Sequence, residues 1–541
     1  MYRLVVALLF FCAGPLVSAQ TTYDIILRHG MVYDGMGRPP FAADVGILSD
    51  SIAFIGDLGL AKGTTEVDAT GKAIAPGFIN MLSWSDGTLL KDGRALSDIK
   101  QGVTMEIFGE GLSPGPRHRK GNSKLWTSLG GYFEHLRRKG VSVNYGSMVG
   151  ATTVRTYVIG SDNRAATLAE LKQMKDLVGQ AMVDGALGVG SSLIYAPAIF
   201  ASTEELIELC KVAAQYGGIY MTHMRSESDL ILPALNETFR IALEANVKAE
   251  IYHLKINHQR NWNKIDTVLY KIDSARQRGL NITANMYPYI ASATGLKERI
   301  PTWAQDGGMV QMRRRIRNAE TRKKILYDMA NGIPTRNSEP GDVVLLGFRK
   351  DSLSILYKGN RLSEVARLHG KDADETVLDL LIADNSSIPA LYFLMSEENM
   401  RRMLKQPYVS IGSDAGALAL TADFLDQGAH PRAYGTFARV LGKYAREENL
   451  FTLEEAIRRM TGLPSSTLKL MRRGLLKSGY FADVVVFDPF QIRDNATFEK
   501  PHQYATGVDH VFVNGVQVLK DGEPTRATPG RLISGAGKKS R

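Results

Sequence analysis

Two hydropathy textures divide the chain. From Tyr23 to about Thr70, short apolar runs broken by turn residues, as in YDIILRHGMVYDG and ADVGILSDSIAFIGDL, predict short β-strands. The texture returns in FADVVVFDPF (Phe481 to Phe490) and VDHVFVNGVQVLKDGE (Val508 to Glu523). Two β-rich ends around a long middle predict one small β-sandwich built from residues 20–72 and 476–541. In the middle, strand-length apolar runs alternate with helix-period segments, the mark of parallel βα units. Eight strands are expected: Ala73 to Leu82, Gly102 to Glu110, Val143 to Gly150, Gly185 to Ser192, Gly218 to His223, Ala249 to Lys255, Asn281 to Tyr289 and Tyr408 to Asp414. Ser202 with Glu205 reads as a capping box, and Gly279 closes the helix pattern NKIDTVLYKIDSARQRG. Eight such units make an α/β fold, a (β/α)8 TIM-type barrel over residues 73–475. Residues 297–347 break the alternation and are expected to form a small insertion after strand seven, placed to act as a lid.

Composition adds compartment and partner class. The start, MYRLVVALLFFCAGPLVSAQ, has Arg3, an apolar stretch from Leu4 to Ala13, and small residues at Val17 and Ala19, which predicts a signal peptide over residues 1–19. Its apolar core is short for a membrane span, so an exported protein, bacterial periplasmic or secreted, is expected, without stable membrane insertion after cleavage. Cys12 would leave with the leader, and Cys210 alone would support neither an intrachain disulfide nor a thiolate metal cluster. Cys210 falls in a helix pattern and reads as a small buried hydrophobe. The formal charge of +10 is concentrated in runs such as Arg313 to Arg315, Arg317, and Arg322 to Lys324. No aromatics interleave with these, so they read as a solvated helix face rather than a nucleic-acid groove.

The chemistry is expected at the carboxyl ends of the strands. Four end on metal-binding or proton-moving side chains: TMEIFGE on Glu110, GIYMTH on His223, AEIYH on His253 and VSIGSD on Asp414. Two imidazoles and a carboxylate leave an open position on a divalent ion such as zinc, whose bound water has its pKa lowered. Asp414 is placed to move that water's proton. On spacing alone, an equal alternative is that the histidines hydrogen-bond within the barrel mouth while Glu110 pairs with an arginine.

The segments APGFI, GVTMEIFGEGLSPGP, DGALGVGSSLIYAPAIFAS, YMTHMRSE, IYHLK, NMYPYIASATGL, YFLMSEE, IGSDA, HPRAYGTFARVLGKY, GLLKSGYFADVVVFDP and ATGVDHVFVNGVQVL occur in that order. Their order and spacing resemble the N-acyl-D-amino-acid deacylases (D-aminoacylases) of the amidohydrolase superfamily. The resemblance implies hydrolysis of an N-acyl amino acid at one divalent metal per chain, zinc first, with manganese, iron or cobalt tolerated. The implied partner is thus a small molecule, not a nucleic acid. His223 and His253 match the family's zinc histidines, and Glu110 falls where a cysteine ligand is usual. Asp414 matches the catalytic aspartate. Lys255, Tyr287 and Ser292, with Arg432, resemble the receptor for the substrate carboxylate, whereas Tyr195, Tyr392 and Met395 resemble pocket walls. Lys255, a lysine beside a metal, also requires an anionic partner.

One stretch departs from the family. Members usually carry His-x-His at the end of strand one; here Leu82 and Trp84 take those places, and Asn80 that of the preceding aspartate. Neither Leu82 nor Trp84 can bind a metal, which leaves a single centre of Glu110, His223 and His253. Two other readings stand beside this one. A cyclic-amide hydrolase of the hydantoinase or dihydroorotase type would be expected to carry a bridging lysine, which VGSSLIYAP at strand four lacks. The remaining alternative is a non-catalytic binding protein on the same barrel.

Overall fold

The computed structural model describes residues 22–118, 125–331, 338–426 and 428–538. The expected leader over 1–19, with Cys12, lies outside the described residues. Among those described, no helix is long and apolar enough to cross a membrane.

Each of the eight expected strand segments carries a parallel strand. Phe78–Asn80, Val103–Phe108 and Asn144–Ser147 pair in that order. Val149–Gly150, Gly188–Ser192, Ile219–His223, Ala249–Ile251, Ile282–Met286 and Val409–Ile411 pair in sequence as a second sheet. Backbone bonds link the two sheets: Met148 N–H donates to Phe108, Met81 N–H to Ile411, and Asp414 N–H to Leu82. These strands are buried along their whole length, as strands covered on both faces must be, which is why they read as unbroken apolar runs. Helices such as Leu168–Asp184 and Thr203–Gln215 lie between them. Cys210, on the second of these, is a buried free thiol in the main core. The capping box at Ser202 is half-formed: Ser202 Oγ accepts from Glu205 N–H, but the Glu205 carboxylate turns instead to Arg155.

Two expectations are revised. First, Ala73 to Leu82 is not one strand. Ala73–Pro76 belongs to the terminal sheet, pairing with Val484–Phe487, and only Phe78–Asn80 enters the parallel array. The two chain ends thus meet in one nine-stranded sheet, in which Thr22–Val32 lies beside Ala73–Pro76 and Val508–Val513 beside Val484–Phe487. Second, the insertion is larger than 297–347. It has its own core, from Leu296 through Met312, Ile316, Ile325, Leu345 and Val377 to Tyr392. Its sheet pairs Pro389–Tyr392 with both Ser292–Gly295 and Val343–Leu345. Its basic run is only partly a solvated face, because Arg322 pairs with Asp379 while Met312 and Ile316 point into the core. Near the C-terminus, Ile533 joins the interior cluster of Ile79, Met105, Ile107 and Met221, and its N–H donates to the Tyr145 carbonyl.

Candidate metal centre and active site

The strand ends open into a cavity of about 490 Å³ whose walls include Glu110, His223, His253, Asp414 and residues of the insertion. His223 ends its strand, in register with Ser192. Glu110 reaches it through a turn in which Gly109 and Gly111 both have positive φ. A side chain at Gly109 would run into the Met148 carbonyl, and one at Gly111 into Ser192, so the GEG turn brings the carboxylate in along a path only glycine permits.

Glu110 Oε1 lies 2.9 Å from both His223 Nδ1 and His253 Nε2. The three donor atoms fall within 4.8 Å of one another, and all three residues are buried. Two nitrogens and one carboxylate oxygen, drawn together away from bulk water, fit a divalent transition ion. The electrostatics agree. Burial pushes the Glu110 carboxyl up, but the imidazoles pull it further down, to about 2. Burial and Lys255 push His253 down, but Glu227 and Glu110 raise it, to about 9. A cation bound there would have to displace that proton, because a ligating imidazole must be neutral.

Two of the key residues have left-handed backbones: His253 at φ 35° and Asp414 at φ 51°. Such conformations cost a non-glycine residue roughly 1–3 kcal/mol and persist where the surroundings fix them. Here Asn285 Oδ1 accepts from the His253 N–H, and the Leu82 carbonyl accepts from Asp414 N–H. The Asp414 carboxylate is also clamped. Trp84 Nε1 donates to Oδ1 at 3.0 Å, and Arg432 Nη1 sits 2.8 Å from Oδ2 in an ion pair without aligned hydrogen-bond geometry. Trp84, a residue with no metal-binding group, is therefore tied directly to the aspartate. Asn80 braces the same point, donating to Ser413 Oγ and accepting from the Ser413 N–H.

The remaining expected residues separate. Lys255, Tyr287, Ser292, Tyr195, Tyr392 and Arg432 all line the cavity. Arg432 lies 4.5 Å over the Tyr287 ring, and Tyr195 packs edge-on to His223. Met395 does not line this cavity; it borders a smaller one behind His253 and Lys255, and Leu394 takes the wall position. The anion Lys255 requires is a residue that sequence reasoning missed, Glu227, whose Oε1 accepts from Nζ at 2.7 Å. The signal available was an acid four residues past His223 in THMRSE, which has no face to share in a loop. Also unforeseen were Glu298 and Arg299, which the insertion contributes to the cavity wall.

This geometry can be set beside known proteins. Residues 306–519 match the amidohydrolase family. Over 529 residues the chain is 36% identical to the D-aminoacylase of Alcaligenes xylosoxydans xylosoxydans, covering 96% of this chain and 99% of that protein. The chain belongs to the D-aminoacylase family of amidohydrolases. Two solved D-aminoacylase-family structures, each covering 95% of the chain and 100% of its own, extend the likeness to the fold. One is a D-aminoacylase described as having a binuclear metal centre, with one-metal activation and second-metal attenuation, at a TM-score of 0.79 and 34% identity. The other is the N-acyl-D-glutamate deacylase of Bordetella bronchiseptica with zinc and a phosphonate mimic of the tetrahedral intermediate, at 0.81 and 29%. These neighbours assign a TIM-barrel-type α/β fold. The D-hydantoinase of Thermus sp., at a TM-score of 0.54 and 13% identity, shares that fold alone with the D-aminoacylase family member described here.

Proposed function

We propose that this protein is a metal-dependent amidohydrolase that cleaves the N-acyl amide of small N-acyl amino acids, those of D configuration in particular, to a carboxylic acid and a free amine. The observation that carries it is the buried Glu110–His223–His253 cluster lining one cavity with a clamped aspartate, Asp414. When bound there, a divalent ion polarises the scissile carbonyl and lowers the pKa of a water towards about 7. Asp414 takes the attacking water's proton and returns it to the leaving nitrogen. Trp84 and Arg432 hold its two oxygens so that proton transfer needs no rotation of the carboxylate. Arg432 Nε and the Tyr287 hydroxyl are buried without hydrogen-bond partners among the described residues, and with Ser292 they receive the substrate carboxylate. Lys255 adds positive potential beside them, although its ammonium is engaged by Glu227, His253 Nδ1 and the His253 carbonyl. Tyr195 and Tyr392 form walls, and Met395 supports His253 from behind.

One ion per chain is the reading that Leu82 and Trp84 support, since neither offers a second ligand set. Glu110 in place of a thiolate favours zinc less strictly and admits manganese, iron or cobalt. The eight strands are read as a closed barrel, the bonds from Met81 to Ile411 and from Asp414 to Leu82 supporting closure. The terminal sheet is read as the sandwich, and the leader as directing export. The test is elemental analysis of the purified protein together with assays on N-acetyl amino acids of both hands. About one ion per chain, hydrolysis, and an Asp414→Asn variant that keeps the ion but loses roughly 10²–10⁴-fold in rate are expected. An Asp414→Asn enzyme of full activity would rule out this mechanism.

A further inference from the structure

Glu227 takes no part in the steps above, yet it is only 3% exposed and meets both histidines of the metal cluster. His253 turns Nε2 to Glu110, and its Nδ1 lies 3.0 Å from Glu227 Oε1 and 2.7 Å from Lys255 Nζ, which Glu227 itself holds. His223 does the reverse: Nδ1 faces Glu110, and Nε2 lies 3.6 Å from Glu227 Oε2. That Nε2 is buried without a hydrogen-bond partner among the described residues, and Glu227 is the anion it faces, at ion-pair distance. An imidazole that gives one nitrogen's lone pair to a metal must carry its proton on the other, and an anion beside that N–H fixes the tautomer and the ring plane. Here both outer nitrogens, from two different strands, converge on one carboxylate. Asn257 secures it: its backbone N–H donates to the Glu227 carbonyl at 2.8 Å, and its Nδ2 to Oε2 at 3.3 Å.

Building on the metallohydrolase reading, we propose that Glu227 is a positioning residue for the metal centre, one buried carboxylate that orients both histidine ligands at once. The plainer explanation is that Glu227 only neutralises Lys255, whose Nζ it accepts at 2.7 Å. The two explanations separate in a variant that needs no counter-ion. Zinc affinity is measured by chelator competition on the full chain for wild type, Lys255→Met, the double variant Glu227→Gln/Lys255→Met, and Glu227→Asp. Melting of the zinc-free proteins confirms folding.

If Glu227 orients the ligands, the double variant holds zinc roughly 10–100-fold more weakly than Lys255→Met. Glu227→Asp, which keeps the charge for Lys255 but draws the carboxylate back by one methylene, also weakens zinc binding. Its reading stands even if the double variant does not fold. Zinc affinity equal to that of Lys255→Met in the double variant, or unchanged in Glu227→Asp, overturns the proposal and leaves Glu227 as a counter-ion. A wild-type protein that takes up neither zinc nor manganese overturns the metal reading itself, and this role with it.

Discussion

Trp84→Phe isolates the contact between the Trp84 indole and the proposed proton-transfer group, Asp414. It keeps an aromatic ring in a half-buried position but deletes the indole N–H that donates to Asp414 Oδ1 at 3.0 Å. A hydrogen bond to a charged group contributes about 1.5–3 kcal/mol. Two features of the site place the loss at the lower end. Asp414 keeps Arg432 at 2.8 Å on its other oxygen, and Trp84 lines the open cavity, so water reaches the vacated acceptor. A loss of about 1.4 kcal/mol at the transition state is tenfold in rate. Because Trp84 touches the proton-transfer group and none of the groups assigned to the substrate carboxylate, the loss belongs in kcat, with KM nearly unchanged. Steady-state kinetics on an N-acetyl-D-amino acid, with metal content measured in parallel, reads this directly. A Trp84→Phe enzyme with wild-type kcat and full metal content would refute the idea that the indole positions Asp414. A tenfold loss traced to missing metal would refute it equally.

Thermal unfolding in the presence of a chelator tests the electrostatics of the cluster. His253, raised to about 9, stabilises the fold fully below its unfolded value near 6.5 and loses that contribution as pH climbs to 9. Glu110, lowered to about 2, stabilises above 4.5 and loses it as pH falls towards 2, so the metal-free melting temperature should peak between these limits. Added zinc should raise it further, by about 2.7 kcal/mol of stability at a hundredfold excess over Kd. Arg155→Ala tests the core instead. It strands Glu205, whose Oε2 lies 2.5 Å from Arg155 Nη1, and should cost about 3–5 kcal/mol in denaturant unfolding, most of it recovered in Arg155→Met/Glu205→Leu.

The barrel was legible because strands buried on both faces must be continuously apolar, and because Glu110, His223, His253 and Asp414 each stand at or just beyond the carboxyl end of one. Those features are local, and periodicity reports local burial. That Leu82 and Trp84 offer no metal-binding group was legible as well, since it needs only residue identity. What the chain could not show was where contacts close over long separations. The Ala73 to Leu82 run carries no change in hydropathy at the point where it leaves the terminal sheet, since both of its halves are buried. The insertion's reach to Tyr392 depends on strand pairing between residues about a hundred positions apart in the chain.

Residue type and spacing thus determined the fold class and singled out Glu110, His223, His253 and Asp414 as the candidate site, with no metal-binding side chain at Leu82 or Trp84. Tertiary structure decided the rest. It alone brought Glu227 up to both His253 and Lys255, gave the Trp84 indole to Asp414, and moved Met395 behind the cavity. It alone twisted His253 and Asp414 into left-handed backbone, held by partners 32 and 332 residues away in the chain. A hydrogen bond depends on distance and direction in space, and neither is encoded in the neighbours of a residue along the chain.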